Sequence, residues 1–227
     1  MNKPGIPVEN AGATNILTPL SVSQTPLSPV MKYHQSTGVI GLGSGQLRNT
    51  QITVSGAANS DVSPPSLDET IATVTDVAKY FLALAREDGD LITNLKMQKL
   101  VYYAYAHVLI NNGRRLFKEP IEAWPNGPVV SNLYRQLKRY GASPIGEDFS
   151  RIESEAEFDA LVARFPEDVL ETLNGVYETY MPMSAFQLVT STHGEKPWRE
   201  ARRGLSPTDH SENILADEDF IEQFTTP

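Results

Sequence analysis

Asn94-Leu-Lys-Met-Gln-Lys-Leu-Val-Tyr-Tyr-Ala-Tyr-Ala-His-Val-Leu-Ile-Asn-Asn112 contains no proline or glycine and is closed by Gly113. Met97, Leu100, Val101, Ala104, His107 and Val108 recur along it at helical spacing. Tyr102, Tyr103 and Tyr105 widen its apolar surface beyond a single stripe, so the stretch predicts a central helix touched from several sides. Its apolar part, Leu100 to Ile110, is eleven residues long. That is short of the roughly 18 needed to cross a bilayer, so a buried helix is expected and not a membrane span.

Upstream, Thr73-Val-Thr-Asp76 fits a capping box. Val77, Tyr80, Phe81, Leu84 and Ala85 then form one helix face, and Gly89 stands where a left-handed terminating residue belongs. Downstream, residues 114–130 hold Pro120, Pro125 and Pro128 and break the pattern. Ile121, Ala123 and Trp124 suit a short strand, and Pro125-Asn-Gly127 has turn chemistry. Pro128 is expected to open a helix from Val129 to Tyr140, with Val130, Leu133 and Leu137 inward and Gly141 as its stop. Further helices are expected over Ser154–Phe165 and from Pro166 to Tyr180, and after the Ser184 cap through Val189. Thr192 to Trp198 reads as a loop, Pro197 to Arg203 as a brief helix, and Ile214 to Phe224 as the last helix. No internal repeat is visible.

The first 70 residues are different. Pro, Gly, Ser and Thr supply 30 of those 70 positions, and Tyr33 is their only Phe, Tyr or Trp. Such a composition cannot bury enough apolar surface to offset its ordering entropy. It predicts a flexible arm, with weak strand character from Thr37 to Val54 and a boundary near Pro64-Pro65. The fold class expected is mainly α: a compact multi-helix domain (71–227) with a short β-hairpin or extended insert, preceded by a flexible N-terminal arm (1–70).

Composition narrows the function. The chain has no cysteine, which excludes disulfides, thiolate metal sites and a cysteine nucleophile. It has no apolar leader behind a basic start, so a signal peptide is not expected. A net charge of −9 disfavours nucleic-acid binding. Charge is uneven, however: residues 94–140 carry eight basic and two acidic side chains, which suits either an interaction face or solvated helix surfaces. His34, His107, His193 and His210 show no metal-binding spacing, and His107 is expected to be a hydrogen-bonded core residue. Gly41-Leu-Gly-Ser-Gly45 lacks the remainder of a phosphate loop and reads as a linker. Asp217-Glu218-Asp219 reads as a solvated charge run. No catalytic set, metal site or cofactor is expected. Trp124-Pro-Asn-Gly-Pro128 and His193-Gly-Glu-Lys-Pro-Trp198 are stiff and aromatic. They suit interface anchors, although both tryptophans would equally close the core against the central helix.

Three stretches together resemble a known family. They are Lys96-Met-Gln-Lys-Leu-Val-Tyr-Tyr-Ala104, Leu116-Phe-Lys-Glu-Pro-Ile-Glu-Ala-Trp-Pro-Asn-Gly-Pro-Val-Val130 and Thr192-His-Gly-Glu-Lys-Pro-Trp-Arg-Glu-Ala-Arg202. In this order and spacing they are similar to the Panacea (SocA-like, GepA-like) antitoxin domain over roughly residues 74–224. The resemblance implies neutralisation of a cognate protein toxin, often encoded beside the antitoxin. In one branch it implies delivery of the toxin to a protease. It carries over no catalytic residue. The residues it marks as motif or partner-binding positions are Lys99, Tyr102, Tyr103, Trp124, Pro125, Gly127, Pro128, Val129, His193, Pro197 and Trp198. The partner implied is a protein, in a bacterial cytoplasm, with no membrane and with a homo-oligomer compatible. The alternative is a phage virion or assembly component that uses the same domain for docking.

Overall fold

The computed structural model describes residues 70–225, and the expected arm, Thr70 apart, lies outside the described residues. The body is mainly helical. Helix α1 (Val74–Asp88) starts at the predicted capping box: the Thr73 hydroxyl accepts from the Asp76 N–H and the Asp76 carboxylate accepts from the Thr73 N–H. It ends at Gly89, whose φ of +73° is left-handed. Helix α2 (Asn94–Asn112) has the predicted bounds. It lies between α1, α3 (Ser131–Leu137), α6 (Glu167–Tyr180), α7 (Ala185–Gly194), α9 (Asp217–Thr225) and a small sheet. The remaining helices are α4 (Glu147–Ser150), α5 (Glu155–Val162) and α8 (Lys196–Ala201).

Burial all round explains why α2 carries so many tyrosines. Tyr102 and Tyr103 are almost wholly enclosed, and an enclosed phenol needs a partner for its hydroxyl. Tyr103 stacks on Tyr180 at 3.8 Å between ring centroids, and Tyr102 and Tyr105 both lean on Phe220 of α9. The Tyr105 hydroxyl donates to Asp217 at 2.7 Å. His107 is a hydrogen-bonded residue of the core edge, with Nε2 3.0 Å from the Tyr180 hydroxyl.

The sheet corrects one expectation. Strands β1 (Glu122–Trp124) and β2 (Gly127–Val129) form an antiparallel hairpin across a Pro125–Asn126 turn. Pro128 therefore lies in a strand and does not open a helix; α3 starts at Ser131. Ala123, opposite Pro128, sends its N–H outward to the Asn213 carbonyl at 2.8 Å. The pair sits at a non-hydrogen-bonded ladder position, where a missing proline N–H costs nothing. Two further expectations change. Thr192–Gly194 are the last turn of α7 and Lys196–Trp198 begin α8, so the expected loop is a tight helix–helix corner. Ile214 is extended and pairs with Glu122, so the last helix begins only at Asp217.

Candidate functional site: a hairpin clamped from beneath

All three motif stretches meet at the β1–β2 hairpin. From α2, Lys99 is completely enclosed and its Nζ donates to the Pro128 carbonyl at 2.8 Å. Its neighbour Gln98 accepts from the Val130 N–H at 3.0 Å and donates to Asn94. Residues 128–130 are thereby tied in extended form to α2. Burial lowers the Lys99 pKa to about 7, because a charged ammonium loses its hydration there.

Gly127 explains why the strand can approach so closely. Its φ is +92°, and a Cβ there would lie 2.7 Å from Lys99 Nζ and 2.9 Å from Thr192 Oγ1. Only glycine meets both conditions without strain.

The corner between α7 and α8 holds the other strand. Trp198 Nε1 donates to the Trp124 carbonyl at 2.9 Å, and Arg202 donates to the Ala123 carbonyl at 2.8 Å. The second Arg202 nitrogen donates to the carbonyls of Ser206, Pro207 and Asp209. The His193 ring stacks on Trp198 at 4.0 Å. Burial, with Lys99 and Arg202 close by, lowers the His193 pKa. Its Nε2 is enclosed without a hydrogen-bond partner among the described residues.

One turn along α2, the Tyr102 and Tyr103 hydroxyls donate to the two oxygens of Glu195 at 2.5 and 2.8 Å. Burial raises the Glu195 pKa, and the two phenol bonds oppose that rise. Glu195 immediately precedes α8, so this contact sets the corner that carries Pro197 and Trp198.

The eleven motif positions form one connected assembly, but they divide by exposure. Lys99, Tyr102, Tyr103, Gly127, Pro128, Val129 and Pro197 are buried. They build the frame. Trp124, Pro125, His193 and Trp198 are half-buried, and Asn126 is exposed at the hairpin tip. Trp124 meets Tyr134 of α3 and His210 edge-on, at 4.9 and 5.5 Å, and donates Nε1 to Glu122. Gln98, Thr192, Glu195 and Arg202 belong to the assembly without having been singled out. Each lies inside or beside a quoted motif, but nothing in a linear pattern marks a side chain that bonds a distant carbonyl. Among the described residues no three His, Asp or Glu side chains gather as metal ligands.

Residues 97–199 match the family model described as antitoxin SocA-like, Panacea domain. These residues are similar to the Panacea domain. The match opens in α2 and closes in α8, and it contains all eleven motif positions. The Antitoxin SocA of Caulobacter vibrioides (strain NA1000 / CB15N) is 33% identical over 109 residues, which is 47% of this chain and 58% of that protein. The chain thus matches little more than half the length of that curated relative. No solved structure matches significantly. Helices α1 and α9 and the Arg202 clamp lie outside the matched Panacea segment, yet they pack on it directly. No helix among the described residues is long and apolar enough to cross a membrane.

Proposed function

We propose that this protein is an antitoxin that neutralises a cognate protein toxin by direct contact, in a bacterial cytoplasm, and that its task is binding and not catalysis. The observation that carries the reading is the Panacea match, together with the relative whose name is Antitoxin SocA. The geometry supports it. Lys99, the one strongly perturbed cation of the motif, is sealed beneath a strand and engaged with a carbonyl, which suits a frame better than a reaction centre. The half-buried Trp124 and Pro125 beside Tyr134 form a pre-shaped aromatic tip of the kind that anchors protein contacts at low ordering cost. Delivery of the captured toxin to a protease is the finer form of the same reading.

The experiment is to express the gene adjacent to this one, alone and with it. Growth arrest by the neighbour, relieved by this protein and accompanied by co-purification of the two, is the expected result. An adjacent product that is harmless and does not bind refutes the assignment. Toxin that disappears only when a host protease is intact supports the delivery step, and stable accumulation of the bound pair rejects it.

A further inference from the structure

Among the described residues, the hairpin sheet has an unfilled edge. Residues 213–215 run antiparallel to β1 on the side away from β2. The Ala123 N–H donates to the Asn213 carbonyl at 2.8 Å and the Leu215 N–H donates to the Ile121 carbonyl at 2.9 Å, with Ile214 opposite Glu122. In that register the N–H and C=O of Ile214 point away from β1. Among the described residues neither group has a hydrogen-bond partner. Ile214 is 63% exposed. An apolar residue with both backbone groups open is a template for a further strand.

A cleft of about 430 Å³ lies beside this edge, with Thr70, Arg115 and Phe117–Ile121 on its other wall. Glu119 belongs to that wall, and its Oε2 is enclosed with no donor within reach among the described residues. A buried carboxylate oxygen left without a donor is costly and calls for one from elsewhere. Arg115 does not supply it, being held by Asp217 at 2.7 Å. The charged residues of the lining left uncommitted are then Glu119, Glu218 and Lys118, a net acidic set.

We propose that the Ile214 edge and this cleft take an extended, lysine- or arginine-bearing segment of a partner protein, added as an outer strand to the sheet. Its backbone pairs with the N–H and C=O of Ile214, one apolar side chain covers Ile214, and its cation pairs with the Glu119 carboxylate from the cleft. The inference does not require the partner to be a toxin. It is mechanically linked to the hairpin, because Ile214 faces Glu122, whose carboxylate accepts from Trp124 Nε1 at 2.6 Å.

The test selects short random displayed peptides on the full-length chain and re-measures the enriched ones on Ile214→Pro. The substitution removes only an N–H that bonds nothing within the fold, so the melt is expected to hold. Enriched peptides should alternate β-branched residues with Lys or Arg. They should lose up to about tenfold in affinity on Ile214→Pro, the scale of one lost backbone hydrogen bond. Glu119→Gln should abolish their preference for Lys over norleucine. Should the proline variant melt early, a peptide N-methylated at its central residue makes the same comparison on the ligand side. No enrichment, or binding indifferent to Ile214→Pro and to N-methylation, overturns the proposal. So does hydrogen-exchange protection of the Ile214 amide in the dilute chain alone, which would assign the edge to residues 1–69. Protection that grows with protein concentration would assign it to a second copy and equally overturn it. Toxin rescue by Ile214→Pro is read separately: intact rescue leaves the antitoxin reading standing whatever becomes of the edge.

Discussion

Lys99 shows how one residue couples chemistry to the fold. Its pKa in the folded chain is about 7, against an ordinary value near 10.5. The unfolded chain therefore binds the proton more tightly, and stability must rise with pH between those two values. Between pH 7 and 9 this residue alone should add about 2–3 kcal/mol. Urea unfolding across that range should show the slope in the natural chain and its loss in Lys99→Met. Equal slopes would mean that the ammonium stays hydrated. The test stops at pH 9 because burial first, and Glu195 beside them, raise the pKa of Tyr102 and Tyr103. Those phenols stay protonated in the folded chain after they would ionise in the unfolded one, which lowers stability above pH 10. Gly127 is the companion case. Gly127→Ala should cost about 1–3 kcal/mol from its left-handed φ and the approach to Lys99. Adding Lys99→Ala should recover the clash but not the backbone strain, so the two melts should not add.

At the scale of elements, the hairpin is too short to stand alone, and its stability comes from helices on both sides. Arg202 is the strongest of these ties because its guanidinium holds carbonyls in β1 and in the 206–209 turn together. Arg202→Met should cost about 3 kcal/mol by leaving buried carbonyls unpaired. Hydrogen exchange should show the hairpin amides opening before those of α2. Simultaneous loss would place the hairpin within the global unfolding unit. Trp124 belongs to the exposed side of the same element. Trp124→Ala should lower the melt by only a few degrees, on the scale of a half-buried ring. It should also weaken capture of the partner by about tenfold or more. An unchanged affinity would take the tip out of the interface.

For the molecule as a whole, the matched Panacea segment is not a free-standing core. Helix α1 contributes Tyr80, Phe81 and Leu84, and α9 contributes Phe220, all fully enclosed. A chain of residues 71–227 should therefore melt cooperatively near the full-length temperature, whereas residues 97–199 alone should not fold. Circular dichroism melts of the two pieces decide this. A broad, non-cooperative transition for 71–227 would mean that the first 70 residues contribute to the core.

Local pattern was enough for α1, α2 and α6. Their apolar positions repeat at helical spacing, and α1 and α2 have glycine stops, all signals written within a few consecutive residues. The three motifs likewise marked where the special chemistry lies, since lysine, glycine and tryptophan are legible one by one. What they are for was decided by contacts between residues far apart in the chain. Lys99 meets Pro128, Trp198 meets Trp124, and Arg202 meets Ala123. Those bonds keep Pro128 in a strand and put the buried motif residues under the hairpin, not on a gripping surface. The extended run at Ile214 was invisible for the same reason: its order comes from β1, which no local spacing can reveal.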